Sequence, residues 1–305
     1  MYKQDYGKIL KEIEGKKKNG ATCQFVLGDI RNTPLLEQSL LDFQPNFLFH
    51  FAELVGIYIC DNNPEYTREI NFEASTKVID LGEKLNIPTI YNSTSSVYGN
   101  RKENVILDEH VMLPEPIDNY CKNKLEMEKY IANKKKRNPD FKVIMLRLAT
   151  IYGLSPRIRL ELLPNHFTYC AVAKGSIKIS EPEAFRAQID IDDVVDAYFA
   201  IMGKELWPKV LYNVGHYNLQ KIQIAKIVQS IVDCKIEFTD HMGDLRNLQI
   251  DSSTFNNDFD WKPERNLEDT IVKITKWIKD NLSSIEGSKF VGLINTPLDQ
   301  WLKMI

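Results

Sequence analysis

The sequence contains no hydrophobic run long enough to cross a membrane. Its longest apolar stretch, Phe47 to Cys60, is interrupted by His50 and Glu53. The opening MYKQDYGKIL carries no apolar segment of the secretory type. Cysteine is scarce and scattered, at positions 23, 60, 121, 170 and 234, with no metal-ligand spacing. An odd, dispersed set excludes a disulfide framework and fits a reducing, cytoplasmic setting. The histidines at 50, 110, 166, 216 and 241 are equally isolated, so no metal is expected. His50, inside a buried run, reads as a hydrogen-bonded core residue. An excess of one charge is missing too. Lys and Arg number 39 against 42 Asp and Glu, a net −3, which points to neither a nucleic acid nor a membrane partner. Glycine is thin, at 14 residues. Gly7, Gly15 and Gly20 have neither the spacing nor the preceding strand of a phosphate-cradling loop.

What is there is the composition of an ordinary folded chain of 305 residues, 43% hydrophobic and 27% charged, enough for one large core or two modest ones. The basic runs Lys16-Lys17-Lys18 and Lys134 to Arg137 read as solvated surface. Tyr2, Tyr6, Ile9, Leu10 and Ile13 fall on one helical stripe. CQFVL (23–27) reads as a strand, Thr33-Pro34 as a capped helix start, and FLFHFA (47–52) as a fully buried strand. Asn63-Pro64 opens a long helix through Leu85. The strand PTIYNS (88–93), a helix from Asn119 to Asn133 and the strand KVIMLRLA (142–149) follow. This alternation predicts an α/β fold, a doubly wound parallel sheet with helices on both faces. Beyond residue 153 the pattern loosens. Helices are expected near 164–174, from Asp193, at 219–232 and at 267–282, with strands near 177–179, 187–191 and 210–214. The expected division is 1–153 as the main domain and 154–305 as a smaller mixed α/β lobe, with segments such as 185–215 returning to the first. No internal repeat or low-complexity stretch appears.

A tyrosine followed four residues later by a lysine is the first chemical candidate. Alone it says little, because the sequence holds four such pairs: Tyr98/Lys102, Tyr120/Lys124, Tyr130/Lys134 and Tyr217/Lys221. Only Tyr120 opens a helix after a strand that ends in a Ser/Thr cluster, Ser93-Thr94-Ser95-Ser96. Positions four apart share a helix face, so Lys124 can stand beside Tyr120. A free phenol ionises near pH 10, too high for a useful base, and a neighbouring ammonium favours the phenolate. A hydroxyl such as Thr94 can then orient the oxygen that reacts.

The segments LGDIRN (27–32), FHFAELVG (49–56), NSTSSVYGN (92–100), YCKNKLEME (120–128), LRLATIYG (146–153), FRAQIDIDDVVDAY (185–198) and LYNVG (211–215) occur in order along nearly the whole chain. Together they resemble the landmarks of the extended short-chain dehydrogenase/reductases, the NAD-dependent epimerase/dehydratase family. The resemblance implies a Rossmann-like sheet, NAD as cofactor and a nucleotide-sugar substrate. It implies Tyr120 as base, Lys124 as its helper and a ligand of the nicotinamide ribose, and Thr94 as the orienting hydroxyl. Asp29 and Ile30 would flank the adenine, and Ala52 and Glu53 the turn past the pyrophosphate and ribose. Glu53 is a departure, since the family usually has a second alanine there. Ser95 and Ser96 stand where the family's 4,6-dehydratases carry Asp and Glu, so dehydration is not expected.

A narrower likeness, over LRLATIYGLSPRIRLELLPNHFTY (146–169), is to the branch with bacterial GDP-heptose 4-dehydrogenases and related epimerases. It implies Arg157 and Arg159 as a phosphate clamp, Arg186 and Arg246 on the nucleotide pyrophosphate, and Asn165 near the sugar diphosphate. Thr150 replaces an asparagine common in the wider family. Members also begin with a strand and a glycine fingerprint, absent here, and the resemblance places Met1 just beyond their second strand. The expected sheet therefore lacks its first two strands. Either the natural protein is longer, the favoured reading, or the chain is a relative that has lost tight NAD binding. The expected activity is oxidation or epimerisation at C4 of a nucleotide-linked sugar, in a homodimer paired through helices near 64–85 and 119–133. The alternatives are a non-catalytic binding or scaffold protein, and a reductase of small ketones should Arg186 and Arg246 face solvent away from the cleft.

Overall fold

The computed structural model describes residues 23–101, 105–156, 158–240 and 246–287. The helical stripe at 2–13, the lysines at 16–18 and Arg157 lie outside these residues. In chain order the elements begin with α1 (Thr33–Phe43), β1 (Leu48–His50), α2 (Ile57–Asn62) and α3 (Pro64–Arg68). A π-helical turn (Glu69–Ala74) then leads into α4 (Ser75–Lys84) and β2 (Thr89–Thr94), with a 3-10 turn at Ser95–Tyr98. Next come β3 (Ile106–Leu107), α5 (Asn119–Arg137), β4 (Val143–Leu148), β5 (Thr150–Tyr152), α6 (Leu163–Lys174), β6 (Ser176–Ile179) and β7 (Phe185–Asp190). The chain finishes with α7 (Ile191–Met202), β8 (Leu211–Val214), β9 (Tyr217–Gln220), α8 (Lys221–Ile231), β10 (Lys235–Phe238), β11 (Gln249–Ile250), α9 (Ser253–Phe259) and α10 (Leu267–Gly287).

The main sheet runs β1-β2-β4-β8, parallel throughout. Every residue of β2 and β4 is buried, so β4 opens on the apolar run Val143 to Leu146, while polar residues of β2 such as Asn92 and Ser93 find hydrogen-bond partners inside. One face carries Tyr91, Val143 and Met145 against Ile79 of α4 and Met127 and Ile131 of α5. The other carries Ile90, Ile144, Leu146 and Val214 against Val194 and Ile201 of α7 and Phe255 of α9. A second core joins α6, α8 and α10 through Phe167, Ile224, Val228 and Ile271, beneath the parallel pair β10-β6. The mixed sheet β5-β7-β9 joins the two regions: Ile189 lies in the first core and Tyr152 in the second.

Several local expectations need correction. Residues 23–27 are not a strand, and Leu27 is 67% exposed. Apolar content alone does not make a segment a strand. The buried strand expected at 47–52 is trimmed to β1, with Phe51 exposed. Asn32, not Thr33, caps α1, its side chain accepting from the Leu35 amide, and Pro34 sits in the first turn. The helix expected from 63 to 85 is interrupted by the π turn, and the short α2 precedes it. Lys134 is not free surface: its ammonium pairs with Glu83 and with Asp80 at 3.0 Å.

Candidate active site

The C-terminal end of β2 gathers the candidate residues. Thr94 ends the strand, and its hydroxyl accepts from the Ser96 amide at 3.1 Å, which tightens the chain into the 3-10 turn. Asp118 caps α5 by accepting from the Cys121 amide at 2.7 Å. That cap fixes Tyr120 in the first helical turn and Lys124 one turn later on the same face. The Thr94 hydroxyl stands close enough to the Tyr120 phenol to favour its ionised form. The Lys124 ammonium lies 5.7 Å from the Tyr120 ring centre and 4.7 Å from that of Tyr91. Thr94 on β2 and the Tyr120/Lys124 pair on α5 form one cluster.

Lys124 is almost fully buried, and its ammonium donates to the Asn92 carbonyl and to the Glu53 carboxylate. Glu53 is equally enclosed, its side chain 5% exposed, and its other oxygen accepts from the Tyr91 hydroxyl at 2.8 Å. The loop carrying Glu53 is pinned by the π turn. There the Asn71 side chain donates to the Leu54 carbonyl at 2.8 Å and accepts from the Leu54 amide at 2.7 Å. His50 Nε2 sits 2.8 Å from Ser75 Oγ and 4.0 Å from Glu53. Because the Ser75 hydroxyl gives its proton to the Ile70 carbonyl, His50 Nε2 is the donor to Ser75. Burial pushes the His50 imidazole down to about 4, with Glu53 opposing and Lys124 adding to the shift. The expectation of a hydrogen-bonded core histidine agrees with this.

Burial first, then the Glu53 carboxylate, hold the Tyr120 phenol well above its ordinary value. The Thr94 hydroxyl and the charge of Arg159 pull the other way. The remaining Tyr/Lys pairs have different surroundings. Tyr130 bonds to Asp80, the Tyr217 hydroxyl reaches the Arg265 carbonyl at 3.3 Å, and Tyr98 is buried in the 3-10 turn beside Arg147.

The other candidates are spread around this centre. Arg246 reaches across from the second region and donates to Ser96 Oγ at 2.5 Å. Arg186, 5% exposed at the start of β7, donates to the Phe185 carbonyl at 2.9 Å. Asn165 spends its amide locally, accepting from the Gly153 amide at 3.1 Å and donating to the Arg159 carbonyl at 3.0 Å. Arg159 pairs with Glu161 at 2.6 Å, and Thr150 lies on β5 opposite Gln188. Asp29 is exposed and bound by Arg31 at 2.7 Å, Ile30 is half-buried, and Ala52 is exposed. Tyr91 and Asn92 carry no catalytic pattern in the sequence, yet they are the immediate partners of Glu53 and Lys124. The only signal for them was their place at the end of a buried strand, just before the Ser/Thr cluster.

Residues 8–215 match the model of the NAD dependent epimerase/dehydratase family. Among characterised relatives, Protein CapI of Staphylococcus aureus is 22% identical over 298 residues, covering 89% of this chain and 87% of its own. The crystal structure of a UDP-glucose 4-epimerase from Thermotoga maritima, with UDP-glucose, superposes with a TM-score of 0.76 at 22% identity, covering 90% of this chain and 94% of that one. A UDP-glucuronic acid 4-epimerase from Bacillus cereus, solved with UDP-glucuronic acid and NAD, gives 0.76 at 19% identity, covering 91% and 87%. These structures share the parallel-sheet fold. With the family model spanning most of its length, and Thr94, Tyr120 and Lys124 drawn together at the end of β2, the chain belongs to the NAD dependent epimerase/dehydratase family.

Proposed function

We propose that the protein is an NAD-dependent nucleotide-sugar epimerase or dehydrogenase acting at C4 of the sugar. The observation that carries this reading is the gathering of Thr94, Tyr120 and the buried Lys124 ammonium at the end of β2. Bound NAD supplies reversible acceptance of a hydride from the sugar carbon. Tyr120 takes the hydroxyl proton as the base, and Thr94 holds the same oxygen in line. Lys124 fits the ribose, because Glu53 and Asn92 occupy two of the three donors of its ammonium. Asp29 and Ile30 on the adenine side and Ala52 at the pyrophosphate complete the proposed cofactor contacts. Arg186 and Arg246, with Arg157, Arg159, Asn165 and Thr150, are assigned to the nucleotide sugar. Arg246 points at Ser96 rather than away from the cleft, which favours a nucleotide-linked substrate over a small ketone. Ser95 and Ser96 offer no acid or base for an elimination.

The reading includes a division into regions 1–153 and 154–305 with the cleft between them, and a homodimer paired through α3–α4 and α5. Calorimetry with NAD on the whole chain, followed by a screen of UDP- and GDP-sugars, tests the activity; light scattering on the same sample reports its mass. Turnover is expected in the wild type and should fall about a hundredfold to ten-thousandfold in Tyr120→Phe, the usual worth of a positioned base. A folded chain with neither NAD binding nor turnover would sink the proposal.

A further inference from the structure

Lys124 is the positive charge of the site, and Glu53 meets it inside the protein. Both side chains are at least nine-tenths buried, the carboxylate is fixed by Tyr91, and its loop is clamped by Asn71. An enclosed carboxylate at that position has two electrostatic effects. It offsets the ammonium that would stabilise a Tyr120 phenolate, and it places a second negative charge near the phenol. The other charged or titratable groups around the cluster are His50 from β1, Tyr91 from β2, Cys121 and Glu128 from α5, and Arg159 from the segment before α6. Glu128 is neutralised by a two-pronged bond to Arg147 at 2.7 and 2.9 Å, and His50 is uncharged at neutral pH. Arg159 is engaged by Glu161. Glu53 is therefore the carboxylate next to the cluster whose partner is the lysine itself.

We propose that Glu53 is a positioning residue, an internal counter-ion for Lys124 that sets Tyr120 in the resting site as a proton donor rather than a base. The assignment of Tyr120 and Lys124 rests on the proposed function, but the electrostatic role of Glu53 does not require turnover. Oxidation of the sugar alcohol begins only when the Glu53–Lys124 pair is loosened. Protonation of a keto oxygen by the phenol is available at once.

The test is an alkaline titration of tyrosinate by ultraviolet absorbance, without cofactor or substrate, on the wild type, Glu53→Gln and Glu53→Ala. Each is paired with its Tyr120→Phe counterpart, so that the difference isolates Tyr120 among the 13 tyrosines. Glu53→Gln keeps the volume and a hydrogen-bond partner for Tyr91, and Glu53→Ala serves if the glutamine variant does not fold. The expected result is that Tyr120 ionises about one pH unit lower, a roughly tenfold shift, in either variant. Ionisation of Tyr120 at the same pH with and without the carboxylate overturns the proposal. A shifted titration in a protein that turns over no nucleotide sugar would sink the function and leave the counter-ion role standing.

Discussion

His50 is a buried imidazole between a serine hydroxyl and a carboxylate, and it is kept neutral by its lack of water. Its folded value of about 4 lies below the ordinary 6.5, so at pH 7 the folded chain is neutral there and the unfolded chain mostly so. As the pH falls below 6.5 the unfolded chain takes up a proton that the folded one refuses until about 4. Stability should therefore decline across that window by about 3 kcal/mol on account of this residue alone. Urea midpoints measured between neutral pH and pH 4 should fall in the wild type and fall less in His50→Gln. Equal slopes would show that His50 is not the group responsible.

At the scale of elements, Arg147 of β4 and Glu128 of α5 form a buried pair that ties helix to sheet. The ion pair is side-on and two-pronged, with Ser93 donating to the same Glu128 carboxylate at 2.5 Å. Arg147 also donates to the Tyr98 hydroxyl at 3.0 Å, and Tyr98 bonds Asn213 of β8 at 2.8 Å. The network thus links β2, β4, β8 and α5 at the level of the active site. Arg147→Leu leaves Glu128 buried and uncompensated, and should destabilise the fold by about 3–5 kcal/mol. Thermal or urea unfolding checks this, and a loss under about 1 kcal/mol would mean that Glu128 finds water or another partner.

The elements that could be read from the sequence are those whose signal is local. Asp118, Tyr120 and Lys124 are fixed by one helix cap and one helical turn, and the full burial of β4 leaves the apolar run Val143 to Leu146. Residues 23–27 are mostly apolar yet not a strand, and Leu27 is 67% exposed, because a strand is defined by tertiary context that hydrophobic content does not reveal. The π turn at Glu69–Ala74 was equally invisible. Its cause is tertiary, since Asn71 turns inward to bind both backbone groups of Leu54. Glu53 could be seen as an unusual residue in its segment, but its partner was hidden because 71 positions separate it from Lys124.

For the whole molecule, the contact of Arg246 with Ser96 joins the second region to the end of β2. If Arg246 holds the nucleotide pyrophosphate, Arg246→Met should weaken substrate binding by about 1.5–3 kcal/mol, a rise in KM of roughly tenfold to a hundredfold. kcat should change little, because Tyr120, Thr94 and Lys124 are untouched. A fall in kcat with KM unchanged would instead place Arg246 on the reacting centre through Ser96.

Arg246 and Ser96 are 150 residues apart, and β8 closes against β4 only after β5, α6, β6, β7 and α7 have intervened. Chain order therefore becomes a timetable for synthesis. While the protein is being made, β4 waits with an unpaired apolar edge until residue 214 has left the ribosome. No shorter nascent chain than one reaching residue 246 can hold the completed cleft. A ribosome that stalls before β8 has emerged would present a half-built sheet to its surroundings, and its product should be the species that chaperones bind.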